Sequence, residues 1–155
     1  MTIEMLEQER NLARKNGNSE RLLVLNDIIA KARAKETAGK KKIKLTEQLV
    51  NDSLIEYRKM LKDGIKQMPE GHAVRSMYEE QLEILSEFCP TVLEDEIQIE
   101  NLITKVLYEQ NIEISRKNKG RMMKALMPAL RAEYADMDIA MPIIDFMISQ
   151  AEAAN

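Results

Sequence analysis

A run of basic residues in the last third of the chain is the strongest candidate for chemistry, and that chemistry would be the binding of phosphates. The sequence from Gly120 to Arg131 reads Gly-Arg-Met-Met-Lys-Ala-Leu-Met-Pro-Ala-Leu-Arg. If residues 115–131 form a helix, the step of about 100° per residue places four cations within an arc of roughly 80°. These are Lys117, Arg121, Lys124 and Arg131. A row of cations at this spacing can follow the phosphates of a nucleic-acid backbone.

The other side of the same helix would be apolar, so the helix is expected to pack by its methionine and leucine side chains. The apolar residues opposite the cations are Met122, Met123, Leu126 and Leu130. Six residues are therefore candidates for RNA binding: Arg116, Lys117, Lys119, Arg121, Lys124 and Arg131. The alternative interpretation is an ordinary solvated helix face, since outward charge on an amphipathic helix usually serves solubility.

A second basic patch lies between two predicted helices. It consists of Lys40, Lys41, Lys42 and Lys44. It could contact RNA, DNA or an acidic protein. No aromatic residue is interleaved with these lysines, so base stacking is not expected and any nucleic-acid contact would be to the backbone. A solvated loop is the alternative.

Residue types that support catalysis are sparse. His72 and Cys89 are the only histidine and the only cysteine, and no nucleophile motif accompanies either of them. The sequence has no Cys/His cluster typical of zinc, no calcium-type acidic loop and no glycine-rich phosphate loop. The carboxylates of Glu79, Glu80, Glu83 and Glu87 have helical spacing and read as a solvated face. We expect no catalytic residue, no metal site and no cofactor.

The elements that must position these residues are predicted to be helices. The 155-residue chain has 32% charged residues, only five glycines and four prolines, and apolar residues recur with helical period throughout. We predict an all-α fold, with an N-terminal helical hairpin or bundle at residues 1–91 and a small three-helix C-terminal domain at residues 92–155. The boundary follows Cys89-Pro90, and the balance changes there from 16 basic and 15 acidic residues to 7 basic and 11 acidic.

Several residues are expected to begin or interrupt helices. Ser19 and Thr46 are predicted N-caps, because their hydroxyls can accept from free backbone N–H groups. Asp136 and Asp138 are equally acceptable caps for the last helix. Asp63-Gly64 is expected to end or weaken the third helix. Pro128 and Pro142 fall inside helical patterns, so a kink or a shortened helix is expected at each.

The single cysteine and the absence of long apolar runs bear on location. One cysteine cannot form an intramolecular disulfide, which favours a reducing compartment. No apolar run is long enough to cross a bilayer. The first ten residues, Met-Thr-Ile-Glu-Met-Leu-Glu-Gln-Glu-Arg, are too polar and acidic for a secretory signal. We therefore expect a cytoplasmic protein with no membrane partner.

Several stretches taken together resemble the GatB/YqeY family. The closing stretch, Gly120–Pro128 with Ala135-Asp136, carries the most specific similarity. Other similar stretches are Glu20–Leu25, Tyr57–Ile65, Tyr78–Leu85 and Phe88–Pro90. The resemblance implies an all-helical protein with a three-helix C-terminal domain. Free-standing members of the YqeY type have no well-defined reaction, whereas the related tail of the GatB amidotransferase subunit helps to hold tRNA.

The chain also departs from the family pattern. The family usually has a basic, glycine-containing turn after its Met-Pro helix, whereas Leu130–Tyr134 contains no glycine and carries Glu133. Met137 and Pro142 are also atypical. The altered turn puts RNA contact at that point in doubt.

Three hypotheses follow. The first is a non-catalytic accessory protein of the YqeY type whose C-terminal domain binds tRNA or another structured RNA. The second is an adaptor that binds a protein partner and has no RNA role, favoured by the acidic balance after Thr91. The third, participation in glutamine-dependent carbon–nitrogen ligation, rests on family association alone.

Overall fold

The chain folds into α-helices joined by turns, which confirms the predicted all-α class. The computed structural model describes residues 1–155 and contains seven helices. They are α1 (Ile3–Lys15), α2 (Ser19–Ala34), α3 (Glu47–Gln67), α4 (Ala73–Ser86), α5 (Glu96–Glu109), α6 (Lys119–Ala132) and α7 (Met137–Ala153). None of these helices has both the length and the apolar character that a membrane span requires.

The helices are divided between two compact units, each with its own core. The N-terminal unit is Met1–Pro90 and contains α1 to α4, and the C-terminal unit is Thr91–Asn155 and contains α5 to α7. The boundary between the units lies one residue earlier than the boundary predicted between residues 91 and 92.

The longest helix of the N-terminal unit, α3, is amphipathic and buries one stripe of side chains. In α3, Val50, Leu54, Tyr57 and Leu61 are spaced so that they share one side, and all four are buried. The phenolic O–H of Tyr57 donates to Asp27 Oδ2 at 3.3 Å. Burial is the main cause that raises the pKa of Tyr57 to about 12, and the neighbouring Asp27 carboxylate adds to it.

The C-terminal unit is a three-helix domain in which α5 packs against both α6 and α7. Its fully buried side chains include Ile99, Ile103, Met122, Leu126, Leu130 and Ile144. The segment before α5 is attached to the turn between α6 and α7. The Leu93 amide donates to the Tyr134 carbonyl, and the Asp136 amide donates to the Leu93 carbonyl, both at 2.9 Å. These two bonds join the beginning of the unit to its last turn.

Helix caps follow the expected chemistry with one displacement. Thr46 caps α3, since its Oγ1 accepts from the Leu49 amide at 3.2 Å. Asp136 caps α7 through an amide of the first turn, which decides between the two aspartates. The prediction that Ser19 is the N-cap of α2 was wrong, because the N-cap is Asn18, whose Oδ1 accepts from the Arg21 amide at 3.1 Å. Asparagine and serine are comparable caps, so the sequence did not separate these neighbours.

The expected helix interruptions do not end the helices. The third helix continues past Gly64 to Gln67, so Asp63-Gly64, which was expected to end or weaken the helix, does not end it. Pro128 and Pro142 both lie inside helices that extend beyond them. Each proline removes one backbone donor, but buried residues follow on the same helix: Leu130 after Pro128 and Ile144 after Pro142. Tertiary packing on both sides of each proline therefore retains the helix.

Gly64 allows α4 to approach α3 closely, which yields a stability prediction. A Cβ at this position would lie 2.7 Å from Tyr78 Cε2 and 2.9 Å from Cδ2. Alanine favours a helix over glycine by about 1 kcal/mol, but the displaced ring is expected to cost more, of the order of 1–3 kcal/mol. We expect Gly64→Ala to lower the free energy of unfolding measured in urea.

Gly120→Ala is the matched control, because a Cβ there meets nothing within 4 Å and Gly120 is also helical. It should leave stability unchanged or raise it. In a Tyr78→Ala background the Gly64 substitution should become stabilising. If Gly64→Ala in the wild-type background were as stable as the wild-type protein, the contact with Tyr78 would not limit stability.

Candidate nucleic-acid interface

The basic residues of the C-terminal unit are divided between α6 and the turn that precedes it. The predicted helix over residues 115–131 was four residues too long at its start, since α6 begins at Lys119. The Asn118 amide donates to Ser115 Oγ and the Lys119 amide donates to the Arg116 carbonyl, both at 3.2 Å. These bonds form a turn in place of a first helical turn. Arg116 and Lys117 therefore lie in the turn and not on the helix.

The orientation of α6 is fixed by its apolar side. Met122, Leu126 and Leu130 are fully buried, as the helical repeat predicts, and Met123 is partly buried. Arg121, Lys124 and Arg131 are exposed, and the helical repeat places them away from the three buried side chains. Because the apolar side is held in the core, the three cations of the helix project to solvent together.

Five of the six candidate cations have no ion-pair partner within the protein. They are Arg116, Lys117, Arg121, Lys124 and Arg131, all of them exposed. We call them the five unpaired cations. Lys119 differs, because its Nζ forms a salt bridge with Asp145 Oδ1 at 2.8 Å. The backbone N–H of Arg116 donates to Glu152 Oε1, also at 2.8 Å, while the Arg116 side chain stays unpaired.

Two of the unpaired cations line an open groove between α5 and α6. The groove has a volume of about 530 Å³ and includes Arg121 and Lys124. From α6 it is also lined by Ala125, Pro128 and Ala129; the remaining lining residues are Val106, Glu109, Gln110 and Ile112. Arg121 and Lys124 are both exposed to solvent at this groove. Glu109 is the one carboxylate that lines the groove.

Charge in the C-terminal unit is strongly segregated. The unit has 7 basic and 11 acidic residues, yet six of the seven basic residues lie between Arg116 and Arg131, where there is no Asp or Glu. The seventh is Lys105 on α5. The first turn of α6 also lacks an acidic residue and a side-chain cap, so the positive end of the helix dipole is not neutralised there. An acidic unit therefore carries one locally positive segment.

The second basic patch belongs to the N-terminal unit. Lys40, Lys41, Lys42 and Lys44 are exposed in the loop between α2 and α3 and form no salt bridge. The Ile43 amide donates to the Glu36 carbonyl at 2.9 Å, which closes the loop at its base. No helix fixes the direction of these side chains, in contrast to Arg121, Lys124 and Arg131.

The residues considered for catalysis have structural contacts. His72 is the N-cap of α4, and its Nδ1 accepts from the Val74 amide at 3.1 Å. Cys89 is half-buried, and burial raises the pKa of its thiol to about 11 against the opposing charge of Arg58. Among the four carboxylates, Glu79 pairs with Arg75 and Glu87 with Arg21. Nowhere do three or more His, Cys, Asp or Glu residues come together in a way that suits a metal ion.

Two acidic residues that contact the basic segment could not be predicted from the sequence. Asp145 and Glu152 both lie on α7, 26 and 36 positions from Lys119 and Arg116 respectively. No local spacing relates residues so far apart, so only the tertiary fold reveals the contacts.

Comparison of the chain with protein-family models and with curated proteins finds no match. The similarity to the GatB/YqeY family therefore stays a prediction from the quoted stretches. The geometry of the basic segment does not depend on that prediction.

Proposed function

We propose that this protein is a non-catalytic RNA-binding accessory protein that holds the phosphate backbone of tRNA or a similar structured RNA. The observation that carries the proposal is the segment from Arg116 to Arg131. It contains five unpaired cations, no carboxylate and a buried apolar side that fixes how the helix presents them. Such an arrangement favours phosphate contacts, because none of these cations must first leave an internal partner.

The composition of the segment favours structured RNA over unstructured single strands. No Phe, Tyr or Trp lies between residues 116 and 131, and proteins that hold single strands generally use aromatic stacking platforms. Contacts limited to phosphates read the shape of a folded backbone and not its bases. We therefore expect tRNA to bind better than an unstructured homopolymer of equal length.

The resemblance to the GatB/YqeY family supports the same proposal. It implies a free-standing relative of the domain that helps to hold tRNA in amidotransferases. Glutamine-dependent ligation itself receives no support from any group in the structure, so we assign the protein an accessory role. The altered turn at Leu130–Tyr134 leaves Arg131 exposed, and phosphate contact there rests on that single cation.

The proposal is tested by measuring the affinity for deacylated tRNA over a range of salt concentrations. Each phosphate contact contributes about 0.7–0.9 to the slope of log K against log salt, so five contacts predict a slope between about −3.5 and −4.5. Affinity should then fall roughly 100- to 500-fold between 50 and 200 mM salt. No binding at 50 mM salt, or a slope near zero, would reject the RNA-binding function.

A protein-binding adaptor is the second candidate, and one observation favours it. Ile97 and Tyr108 are 70% and 86% exposed, and the helical repeat aligns them with Asn101 and Thr104 on one uncharged stripe of α5. A stripe of this kind, apolar at both ends and free of charge, could be covered by a protein partner without the burial of a charged group. An adaptor would leave tRNA unbound at low salt and would capture a protein partner from nuclease-treated extract.

A further inference from the structure

One side of α7 supplies acidic contacts to the beginning of the basic segment. Asp145 and Glu152 are seven residues apart, so the helical repeat places them on the same side of α7. Asp145 pairs with the Lys119 side chain, and Glu152 accepts from the Arg116 backbone amide. The two carboxylates thus have different effects, because Glu152 holds the turn in place without neutralising a cation, whereas Asp145 neutralises one.

The ion pair between Lys119 and Asp145 remains open to exchange. The Lys119 and Asp145 side chains are 43% and 57% exposed, and pairs this exposed to solvent are weak. Lys119 is the first residue of α6, between the turn that holds Arg116 and Lys117 and the helical cation Arg121. A phosphate that reaches this segment can therefore compete with the Asp145 carboxylate for the same ammonium group.

We propose that Asp145 is a built-in competitor that limits the affinity of the basic segment for RNA by holding Lys119 in an ion pair. The inference rests on the proposed RNA-binding function. Lys119 is then a sixth cation of the segment that Asp145 partly withholds from the phosphates of the RNA. The segment binds RNA less tightly than its six cations allow, and α7 sets that limit.

The test compares Asp145→Ala with Glu100→Ala, both by titration with deacylated tRNA. Glu100 is an exposed carboxylate of α5 that forms no salt bridge, so the two substitutions change the net charge equally. Release of Lys119 predicts that Asp145→Ala binds up to about fivefold more tightly than Glu100→Ala at 0.1 M salt, because an exposed ion pair withholds no more affinity than that. Its salt slope should also be steeper, by at most about 0.7–0.9.

A second background isolates the role of Lys119. In Lys119→Gln protein, Asp145→Ala should give no gain beyond that of Glu100→Ala, because no cation is released. Equal gains for the two alanine variants in the wild-type background, or a gain for Asp145→Ala that persists without Lys119, would overturn the proposal. Asp145→Asn, which keeps the shape of the side chain, should shift affinity in the same direction by a smaller factor and guards against a folding defect.

The competitor role of Asp145 and the RNA-binding function can be rejected separately. If wild-type protein does not bind tRNA at low salt, the function fails, and the order of elution from immobilised heparin then decides the role of Asp145. Asp145→Ala should elute at higher salt than Glu100→Ala, and this difference should vanish in the Lys119→Gln background. Co-elution of the two alanine variants from heparin contradicts the competitor role whatever the natural RNA is.

Discussion

Replacement of Arg121 and Lys124 by glutamate is expected to weaken tRNA binding by about 100-fold or more. If a phosphate contact contributes nothing to affinity at 1 M salt, a slope of about 0.7–0.9 per contact corresponds to about 0.7–0.9 log units at 0.1 M salt, so two neutralised cations cost roughly 25- to 60-fold. Reversal of both charges adds repulsion to that loss. Both side chains are exposed, line the same groove and form no internal salt bridge, so the substitutions leave the core intact. Fluorescence anisotropy with labelled deacylated tRNA measures the change.

Two controls separate the basic segment from net charge. Lys40→Glu with Lys41→Glu gives the same change in net charge in the other unit, where the lysines lie on a loop. Lys105→Glu changes the one basic residue of the C-terminal unit outside the segment. We expect each control to cost only a few-fold in affinity. If the loop variant lost as much affinity for tRNA as Arg121→Glu with Lys124→Glu, RNA binding would depend on the loop or on net charge and not on α6.

Among the substitutions described, Leu126→Ala is expected to cause the largest loss of stability. Leu126 is fully buried in the core of the C-terminal unit, between Met122 and Leu130 on the same side of α6. Truncation of a buried leucine in this way costs about 2.7–5 kcal/mol. A small unit has little stability in reserve, since domains average about 0.05–0.15 kcal/mol per residue. We therefore expect the C-terminal unit to be partly or wholly unfolded, and RNA binding to be lost with it.

Leu12→Ala is the matched control for that loss. Leu12 lies on α1 and is 51% exposed, so the same chemical change should alter the free energy of unfolding by less than about 0.5 kcal/mol. Urea unfolding followed by circular dichroism measures both variants. If Leu126→Ala lost no more stability than Leu12→Ala, the buried side of α6 would not be what fixes the basic segment.

The fold class was predictable from the sequence because hydrophobic periodicity reports directly on helices. The stripes on α3 and α6 are buried as their spacing predicts. Boundaries were less predictable, because Ser115 and Asn118 form a local turn whose side-chain bond competes with helix formation. The place of Gly64 inside α3 is matched by Tyr78, a residue of another helix whose ring occupies the space that a Cβ at position 64 would need. No pattern within α3 contains that information.

The candidate site was predictable as a set of cations but not as a set of available cations. The helical repeat places Arg121, Lys124 and Arg131 away from the core, and all three are exposed in the structure. Lys119 belongs to the same sequence run, yet it is paired with Asp145, 26 residues away. Which of the six cations is paired depends on the tertiary fold, because the partner of Lys119 is a side chain of α7.

The most direct test of the account is the difference in salt slope between wild-type protein and the variant Arg121→Gln with Lys124→Gln, each titrated with deacylated tRNA. Removal of two phosphate contacts predicts that the slope of log K against log salt becomes less steep by about 1.4–1.8. The same substitutions in a protein that uses another surface would leave the slope unchanged. An unchanged slope, with wild-type affinity, would show that the exposed cations of α6 do not hold RNA.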